Sequence, residues 1–446
     1  MISWEFDPFF TRGGVAYAVR RLADQLTELG IETRVLLPGW DDTPHANDLS
    51  PLLKPISLKM PAGISSAPRA VQCSEFCRAA VTEFEEISAT SESDAVIAHG
   101  DGGAMFIVMR NGKRSSAPSV FWLHGLYDPP ITDFPKEQRR LLPSQSLLAS
   151  VVMMADIVVT SMGILKDARE VEWPDGLKEL QKALTTASAE NRVLTVESMG
   201  CLPEVWKNSE NKLNPSSNLE SLKNMSSPYV LFPSRPTITK GFGIFTSIAE
   251  RLQADNIACV AVGPPAPDAR LENPSPNDLV HWLPWLRQEE LPVVMNNATC
   301  TVLPSISEGF GLTAAESISL GVPTLYNQVG GHHGLHERPN ALPITLTTSE
   351  RANLYRLMSE LSATYSWAVW TRYEKSLQPV IDKCIEAVRS MTYRGKVAFA
   401  PTENAHLASL PIEAEQWGNK LLHRIRDGNE FRVQALACVS KQQPKG

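Results

Sequence analysis

Several features that would place a protein in a special class are scarce in this sequence. Its seven cysteines show no metal-type pairing: Cys73 and Cys77 are four residues apart and no second pair follows. This spacing predicts reduced, mostly buried thiols and no metal site. The most apolar stretch, residues 147–159, is short and contains Asp156, so it cannot span a bilayer. The opening residues run directly into a strand-like segment, so we expect no signal peptide and a cytoplasmic protein, with peripheral membrane association left open.

Positively charged residues are also fewer than negatively charged ones. The 446 residues contain 42 lysines and arginines against 49 acidic residues, a formal net charge of −7. That balance argues against nucleic acid as a partner, although a small basic pocket for phosphates needs only a few cations. Hydrophobic residues make up 43% of the chain, which is ordinary for a globular protein, and the length predicts two domains.

What is present is an alternation of strand-like and helix-like segments. Ile2–Phe6 is a short apolar strand candidate, apolar residues then recur at helical spacing from Val15 to Leu29, and Arg34–Pro38 is the next strand. Further strand candidates follow at residues 95–98, 119–123, 157–160 and 193–196. A second α/β rhythm starts at residues 229–233, with strands near residues 257–262, 279–283, 301–304 and 323–326. The predicted fold class is α/β, with two Rossmann-like domains whose parallel sheets face each other across a cleft.

The polar, turn-rich stretch at residues 207–228 interrupts this rhythm. We therefore predict an N-terminal domain at residues 1–206, a linker or insertion at 207–228, and a C-terminal domain at 229–375. Residues 376–446 are predicted to be a helical segment that packs back on the N-terminal domain.

The segment from Thr301 to Glu316 carries most of the functional inference. A strand ends at Pro304, a loop containing Glu308 and the glycines 309 and 311 follows, and a helix is predicted from Thr313. Glycines between a strand and a helix let the backbone approach a ligand, and the free amides and dipole of the first helical turn favour an anion. A diphosphate fits that place, while Glu308 and Glu316 can accept hydrogen bonds from hydroxyl groups.

Two alternatives remain open for the same residues. Thr313-Ala-Ala-Glu316 also fits a capping box, in which Glu316 would only bond a backbone amide of its own helix. Gly309-x-Gly311-x-x-Ala314 also fits the loose fingerprint of NAD enzymes. The NAD motif requires an acid about twenty residues further on, where this sequence has Tyr326-Asn-Gln-Val.

Ser305-x-x-Glu308-Gly-Phe-Gly-Leu-x-x-x-Glu316, followed by Gly321-Val-Pro323 and Gly330-Gly331, resembles the donor-site signature of a large retaining glycosyltransferase family. That family has the type B fold and includes sucrose, trehalose and mannosyl transferases, with glycogen and starch synthases as more distant relatives. The resemblance extends over most of residues 1–375. It implies a nucleotide-diphosphate sugar as substrate, of the UDP or GDP type, and no resident cofactor. No Asp-x-Asp occurs, so a donor-bridging metal is not required.

The resemblance also implies roles for individual residues. Glu308, His124, Arg235 and Lys240 correspond to the catalytic group, in which the two cations hold the donor diphosphate. His99 corresponds to a residue on the acceptor side. The remaining donor-binding positions are Arg12, Gly13, Gly14, Gly263, Leu283, Gly309, Phe310, Gly311, Leu312 and Glu316.

The sequence also departs from the family pattern. Met199-Gly-Cys-Leu202 replaces the usual Asn-Gly-Val-Asp, and no role can be assigned to His332 and His333. The predicted function is a retaining, metal-independent transfer of a sugar to a hydroxyl of an acceptor: a sugar, a glycan, a lipid-linked compound or a natural product. The alternatives are a nucleotide-sugar epimerase or NAD-dependent enzyme on a similar fold, and an inactive sugar-nucleotide-binding partner protein.

Overall fold

The structure is a computed structural model, and it describes fifteen stretches of the chain. They are residues 1–4, 14–39, 49–67, 69–90, 95–111, 117–126, 145–196, 229–237, 239–263, 279–284, 286, 290–335, 340–363, 367–393 and 421–425. The predicted linker at residues 207–228 and the departure at residues 199–202 therefore lie outside the described residues. Within the described stretches, no helix is long and apolar enough to cross a membrane.

The N-terminal half alternates strands and helices along the chain. Its elements are α1 (Gly14–Glu28), β1 (Thr33–Gly39), β2 (Leu53–Lys59), α2 (Arg69–Thr90), β3 (Val96–His99), α3 (Gly100–Asn111), β4 (Ser119–Trp122), α4 (Gln145–Met154), β5 (Ile157–Ser161), α5 (Met162–Glu170), α6 (Asp175–Ala189) and β6 (Val193–Val196). Every residue of β3, β4 and β5 is buried. Continuous burial of this kind is typical of parallel strands that are covered by helices on both faces.

These strands form one parallel array that is joined at its centre by Ile2. Ile2 makes isolated parallel bridges to Leu36 of β1 on one side and to Ala98 of β3 on the other. The resulting order is β2-β1-Ile2-β3-β4-β5-β6, and all named pairs are parallel. The first predicted strand thus appears as a bridge at Ile2, and residues 5 and 6 lie outside the described residues.

The C-terminal half repeats the pattern. Its elements are β7 (Tyr229–Phe232), α7 (Phe242–Leu252), β8 (Ala258–Val262), β9 (His281–Leu283), α8 (Leu291–Asn297), β10 (Cys300–Leu303), α9 (Leu312–Ser319), β11 (Thr324–Asn327), β12 (Ala341–Ile344), α10 (Thr348–Ala363) and α11 (Trp367–Tyr393). A 3-10 turn, Gly330–Leu335, follows β11. Five cysteines of the described residues, 73, 77, 259, 300 and 384, are free and buried, as predicted.

The C-terminal sheet has the strand order β12-β11-β10-β7-β8-β9, and every pair is parallel. In order of appearance this is 6-5-4-1-2-3, which is the doubly wound Rossmann arrangement. The order reverses between β7 and β10. In such sheets, ligands bind outside the carboxyl ends of the strands at this reversal, so the loops after β7 and β10 are where a site is expected.

The last described helix, residues 421–425, contacts the N-terminal half. Leu421 and Ile425 are buried in a cluster with Leu22, Ile97 and Val120. The much longer helix α11 packs instead on α7 and β12 of the C-terminal half. The chain therefore returns to the N-terminal sheet after leaving the C-terminal one.

Candidate active site

The two loops at the strand reversal are in direct contact. After β7 the chain passes Arg235 and reaches Lys240, and after β10 it passes Ser305 and reaches Glu308. Ile306 donates a backbone hydrogen bond of 2.9 Å to the carbonyl of Thr239. A Cβ on Gly241 would lie 1.9 Å from the carbonyl oxygen of Pro304, so only glycine fits where the loops meet.

This contact brings Lys240 to Glu308. The Lys240 Nζ donates to both carboxylate oxygens of Glu308 at 2.8 Å. The Ser305 Oγ donates to Oε2 of the same carboxylate at 3.1 Å. The Glu308 side chain is only 11% exposed. Burial alone would raise its pKa, but the Lys240 ammonium and the Ser305 hydroxyl outweigh burial and lower the pKa of Glu308. The Glu308 carboxylate is therefore ionised, and it lies beside the ammonium group of Lys240.

Helix α9 begins directly after this loop. Gly311 is its N-cap residue, with φ of 70° and no side-chain cap hydrogen bond. The first turn thus keeps its backbone amides free of any capping side chain, which is what an anion site requires. The capping-box interpretation of Thr313 and Glu316 is wrong, because the helix starts at Leu312 and Gly311, not Thr313, caps it.

Glu316 lies one turn into α9 and is half-buried. Desolvation raises the pKa of its carboxyl to about 8. Glu308 and Glu316 thus differ in charge near neutral pH: the first is ionised and the second is protonated. A neutral carboxyl can donate as well as accept a hydrogen bond, which suits a hydroxyl group.

The start of α9 faces the N-terminal half. The ring of Phe310 lies edge-on to Trp122 and His124, with centroid distances of 6.2 and 5.9 Å. A Cβ on Gly309 would lie 1.6 Å from the carbonyl oxygen of His124, so the loop after β4 touches the glycine loop directly. The helix end predicted to bind phosphates therefore points at the opposite domain.

The two histidines predicted from strand ends also lie together. The Nδ1 of His99 and the Nε2 of His124 are 3.0 Å apart, and Trp122 stacks on both rings. Burial lowers the pKa of His124 to about 3. Burial, with a smaller contribution from His124, lowers the pKa of His99 as well. Both rings are neutral, so one donates to the other.

Other predicted site residues are placed less tightly or lie outside the described residues. Arg235 is exposed beside the Lys240 loop. The amide of Gly263, at the end of β8, donates to the carbonyl of Leu283 at 2.9 Å, so these two positions adjoin. The structure describes Gly14 only as the first residue of α1, and Arg12 and Gly13 are not among the described residues.

The 3-10 turn after β11, which begins with the Gly330-Gly331 pair of the predicted donor-site signature, also belongs to this site, and its two histidines had no predicted role. The amide of Gly331 donates to the carbonyl of Glu308 at 3.0 Å, and His332 Nε2 lies 3.9 Å from the Glu308 Oε2. His333 points the other way, with Nε2 at 3.3 Å from Asp167 of α5. The adjacent histidines were the available signal, but their partners are distant in sequence.

The alternative of a dinucleotide site is not favoured by the residue at the end of β11. Asn327 is fully buried, and its amide donates to the carbonyl of Ser305 at 3.1 Å. No carboxylate stands there to hold a ribose. Among the residues that the structure describes, no group of three His, Cys, Asp or Glu side chains could hold a metal ion.

Comparisons with known proteins agree with this geometry. Residues 217–336 match the family model described as glycosyl transferases group 1, and residues 1–67 match the starch synthase catalytic domain model. No curated protein matches the sequence. The fold and the family matches together define a glycosyltransferase with the type B fold, and they confirm the predicted fold class and enzyme class.

Solved structures of this fold align with most of the chain. The catalytic domain of starch synthase IV from Arabidopsis thaliana has 16% identity and a TM-score of 0.56, covering 85% of this chain and 98% of that one. Sucrose-phosphate synthase from Thermosynechococcus elongatus has 18% identity and a TM-score of 0.57, covering 86% and 98%. Trehalose 6-phosphate synthase from Burkholderia multivorans has 12% identity and a TM-score of 0.55, covering 98% and 99%. At these identities the likeness shows the fold that this chain shares with them.

Proposed function

We propose that this glycosyltransferase moves a sugar from a nucleoside diphosphate donor, of the UDP or GDP type, to a hydroxyl of an acceptor with retention at the anomeric carbon. The observation that carries the proposal is the ionised Glu308, paired with Lys240, beside the uncapped start of α9. Cations and free amides suit the diphosphate, and the carboxylate suits sugar hydroxyls. The starch synthase IV structure is described as bound to ADP and acarbose, which is consistent with a nucleotide at such a place.

In the proposed reaction Arg235, Lys240 and the α9 amides bind the diphosphate. Their charge stabilises the leaving group as the bond from the anomeric carbon to phosphate breaks. The acceptor hydroxyl oxygen bonds to the same face of that carbon, and its proton passes to the departing phosphate oxygen. Glu308 and His124 hold hydroxyls of the sugar from the two sides of the contact between the domains. No metal takes part, and the acceptor is a sugar, a glycan, a lipid-linked compound or a natural product in the cytoplasm.

A first experiment identifies the donor. The thermal unfolding midpoint is measured with UDP, GDP, ADP and their glucose and mannose conjugates, because a ligand that binds the folded state raises it. We expect one base to give a clear increase. If none of these compounds shifts the midpoint, the proposal of a nucleoside diphosphate donor fails.

A second experiment tests the site itself. The Glu308→Gln variant should still bind the nucleoside diphosphate. It should cleave the bond between the donor sugar and the diphosphate roughly 100-fold more slowly or worse, which is the usual cost of losing one electrostatic contact to a transition state. Asp255→Asn is the control, because it also removes a carboxylate paired with a cation, Arg389, but at the far end of α7. Unchanged kcat/KM in Glu308→Gln would exclude Glu308 from the reaction.

A further inference from the structure

The 3-10 turn Gly330–Leu335 is built against the backbone of the Glu308 loop. A Cβ on Gly330 would lie 2.0 Å from the carbonyl oxygen of Glu308, and one on Gly331 would lie 2.2 Å from that of Gly309. The Gly331 amide also donates to the Glu308 carbonyl. The backbone of this turn therefore has a fixed position relative to the Glu308 loop.

The imidazole of His332 is held in one orientation by three neighbours. Its side chain is 1% exposed, and its Nδ1 lies 2.9 Å from the carbonyl oxygen of Asn327. Because a carbonyl only accepts, Nδ1 must carry the proton. The ring lies edge-on to Tyr326 at 5.2 Å, and it fills the space beside Gly311, where a Cβ would lie 2.3 Å from the His332 Cδ2.

In this orientation the other ring nitrogen, Nε2, points toward the Glu308 carboxylate. His332 Nε2 lies 3.9 Å from Glu308 Oε2, which is beyond hydrogen-bond distance. Burial lowers the pKa of His332, although Glu308 and the Asn327 carbonyl act in the opposite direction. In the neutral ring, Nε2 has a lone pair and no proton. Two acceptors thus lie 3.9 Å apart: Glu308 already accepts from Lys240 and Ser305, whereas no donor among the described residues is within hydrogen-bond distance of His332 Nε2.

We propose that His332 Nε2 accepts a hydrogen bond from a hydroxyl of the transferred sugar, adjacent on the ring to the hydroxyl that Glu308 accepts. The inference rests on the proposed function and names a specificity residue for it. Neighbouring hydroxyls of a sugar ring are close enough for each to donate to one of the two acceptors. The pair then selects donors whose sugar presents both hydroxyls on that side.

The ordinary alternative is that His332 only fills space and ties the turn to Asn327. The two explanations predict different effects of a His332 substitution on the binding affinities of the two ligands. A purely structural residue would affect the nucleoside diphosphate and the nucleotide sugar alike. A residue that contacts the sugar affects only the second.

The test uses His332→Asn, whose amide keeps a donor near the position of Nδ1 but has no group at that of Nε2. His332→Gln is the rescue variant, because its longer amide can reach the Nε2 position. Affinities of UDP, GDP and ADP are measured by calorimetry and compared with those of UDP-glucose, GDP-mannose and ADP-glucose. We expect His332→Asn to bind the diphosphate within about twofold of the wild type and the nucleotide sugar about tenfold more weakly, the loss of one hydrogen bond. His332→Gln should recover part of that loss.

A double-mutant cycle then locates the hydroxyl. Donors lacking the 2-, 3- or 4-hydroxyl are bound to the wild type and to His332→Asn, and one of them should show no further loss in the variant. Equal losses for diphosphate and nucleotide sugar, or no coupling at any position, would overturn the role of His332 while leaving the proposed function intact. Failure of the wild type to bind any of the nucleotide sugars would overturn both.

Discussion

Asp167 of α5 allows a quantitative prediction about the contact between the two halves. It is fully buried, and among the described residues the groups that contact its carboxylate through hydrogen bonds all come from the C-terminal half. The Gly330 amide donates at 3.0 Å and the Tyr355 hydroxyl at 2.7 Å, while His333 and the Arg351 guanidinium complete the cluster. Asp167→Ala should therefore weaken the attachment of α5 to the turn that carries His332.

The magnitude follows from what the substitution leaves behind. Burial would raise the pKa of Asp167, but the contacts with His333, Gly330 and Tyr355 outweigh burial and lower it, so the native group is ionised. Without the Asp167 carboxylate, the Tyr355 hydroxyl loses a hydrogen-bond partner inside the protein. Arg351 retains its hydrogen bond of 3.0 Å to Glu170. Removing one partner of a buried ion pair costs about 3–5 kcal/mol. For a unit of roughly 200 residues this corresponds to a lower Tm by on the order of 10 °C.

The assay is thermal unfolding of Asp167→Ala beside Asp175→Asn. The control removes an exposed carboxylate that pairs with Lys178 at 2.8 Å, and it should leave the Tm nearly unchanged, because exposed pairs contribute little. Since the folded-state pKa of Asp167 is lowered, its contribution is present above the unfolded pKa and is lost as pH falls. The difference between wild type and Asp167→Ala should thus shrink below about pH 4. Equal Tm values at pH 7, or a difference that grows in acid, would refute the reasoning.

Two further predictions concern the loops at the site. Gly309→Ala should disrupt the contact between the halves and abolish activity, because its Cβ would lie 1.6 Å from the His124 carbonyl oxygen. The control is Gly125→Ala across the same contact, where a Cβ meets nothing closer than 3.6 Å. Unfolding and activity assays should show that the control substitution is tolerated. Glu316→Gln should gain stability over the wild type as pH rises from about 4.5 to about 8, since a raised folded-state pKa makes the wild type lose stability over that range. A pH-independent difference in Tm would contradict the second prediction.

The regular elements of the C-terminal sheet could be predicted closely from the sequence. β7, β8 and β10 are short apolar runs bounded by glycine, proline or polar residues, and α9 begins one residue before its predicted start at Thr313. Burial on both faces of these strands makes the apolar signal continuous, so local sequence suffices to find them.

Two edge strands, β2 and β12, were not predicted from the sequence. β2, Leu53–Lys59, lies at the end of its sheet, contains Pro55 and buries only Leu53 and Leu58. β12 is likewise an edge strand, with only its first and last residues buried. Both runs contain a proline, Pro55 in β2 and Pro343 in β12, and a proline makes a short run hard to distinguish from a loop. The edge strands β6 and β9 contain no proline and were predicted.

The site could be predicted only in part. Glu308, Lys240 and the glycines were found through a motif, yet the direct bond between Glu308 and Lys240 joins residues 68 positions apart. The link from Asp167 to His333 spans 166 positions. Nothing local to these residues encodes either pairing. The first forms because β7 and β10 become neighbours in one sheet, and the second because α5 of the N-terminal half contacts the turn after β11.

The pairing of Lys240 with Glu308 has a consequence for the order of events in the proposed reaction. Without a cation, burial would favour the protonated form of Glu308, so Lys240 keeps the carboxylate ionised before substrate arrives. A diphosphate competes for the same ammonium group, and a carboxylate that loses its cation needs other donors. In the proposed reaction one sugar hydroxyl donates to Glu308, and its neighbour donates to His332. Binding of the phosphates and binding of the sugar would then reinforce each other. A nucleoside diphosphate alone should bind less favourably than its size suggests, because it draws Lys240 away from Glu308 and supplies no donor to the carboxylate in its place.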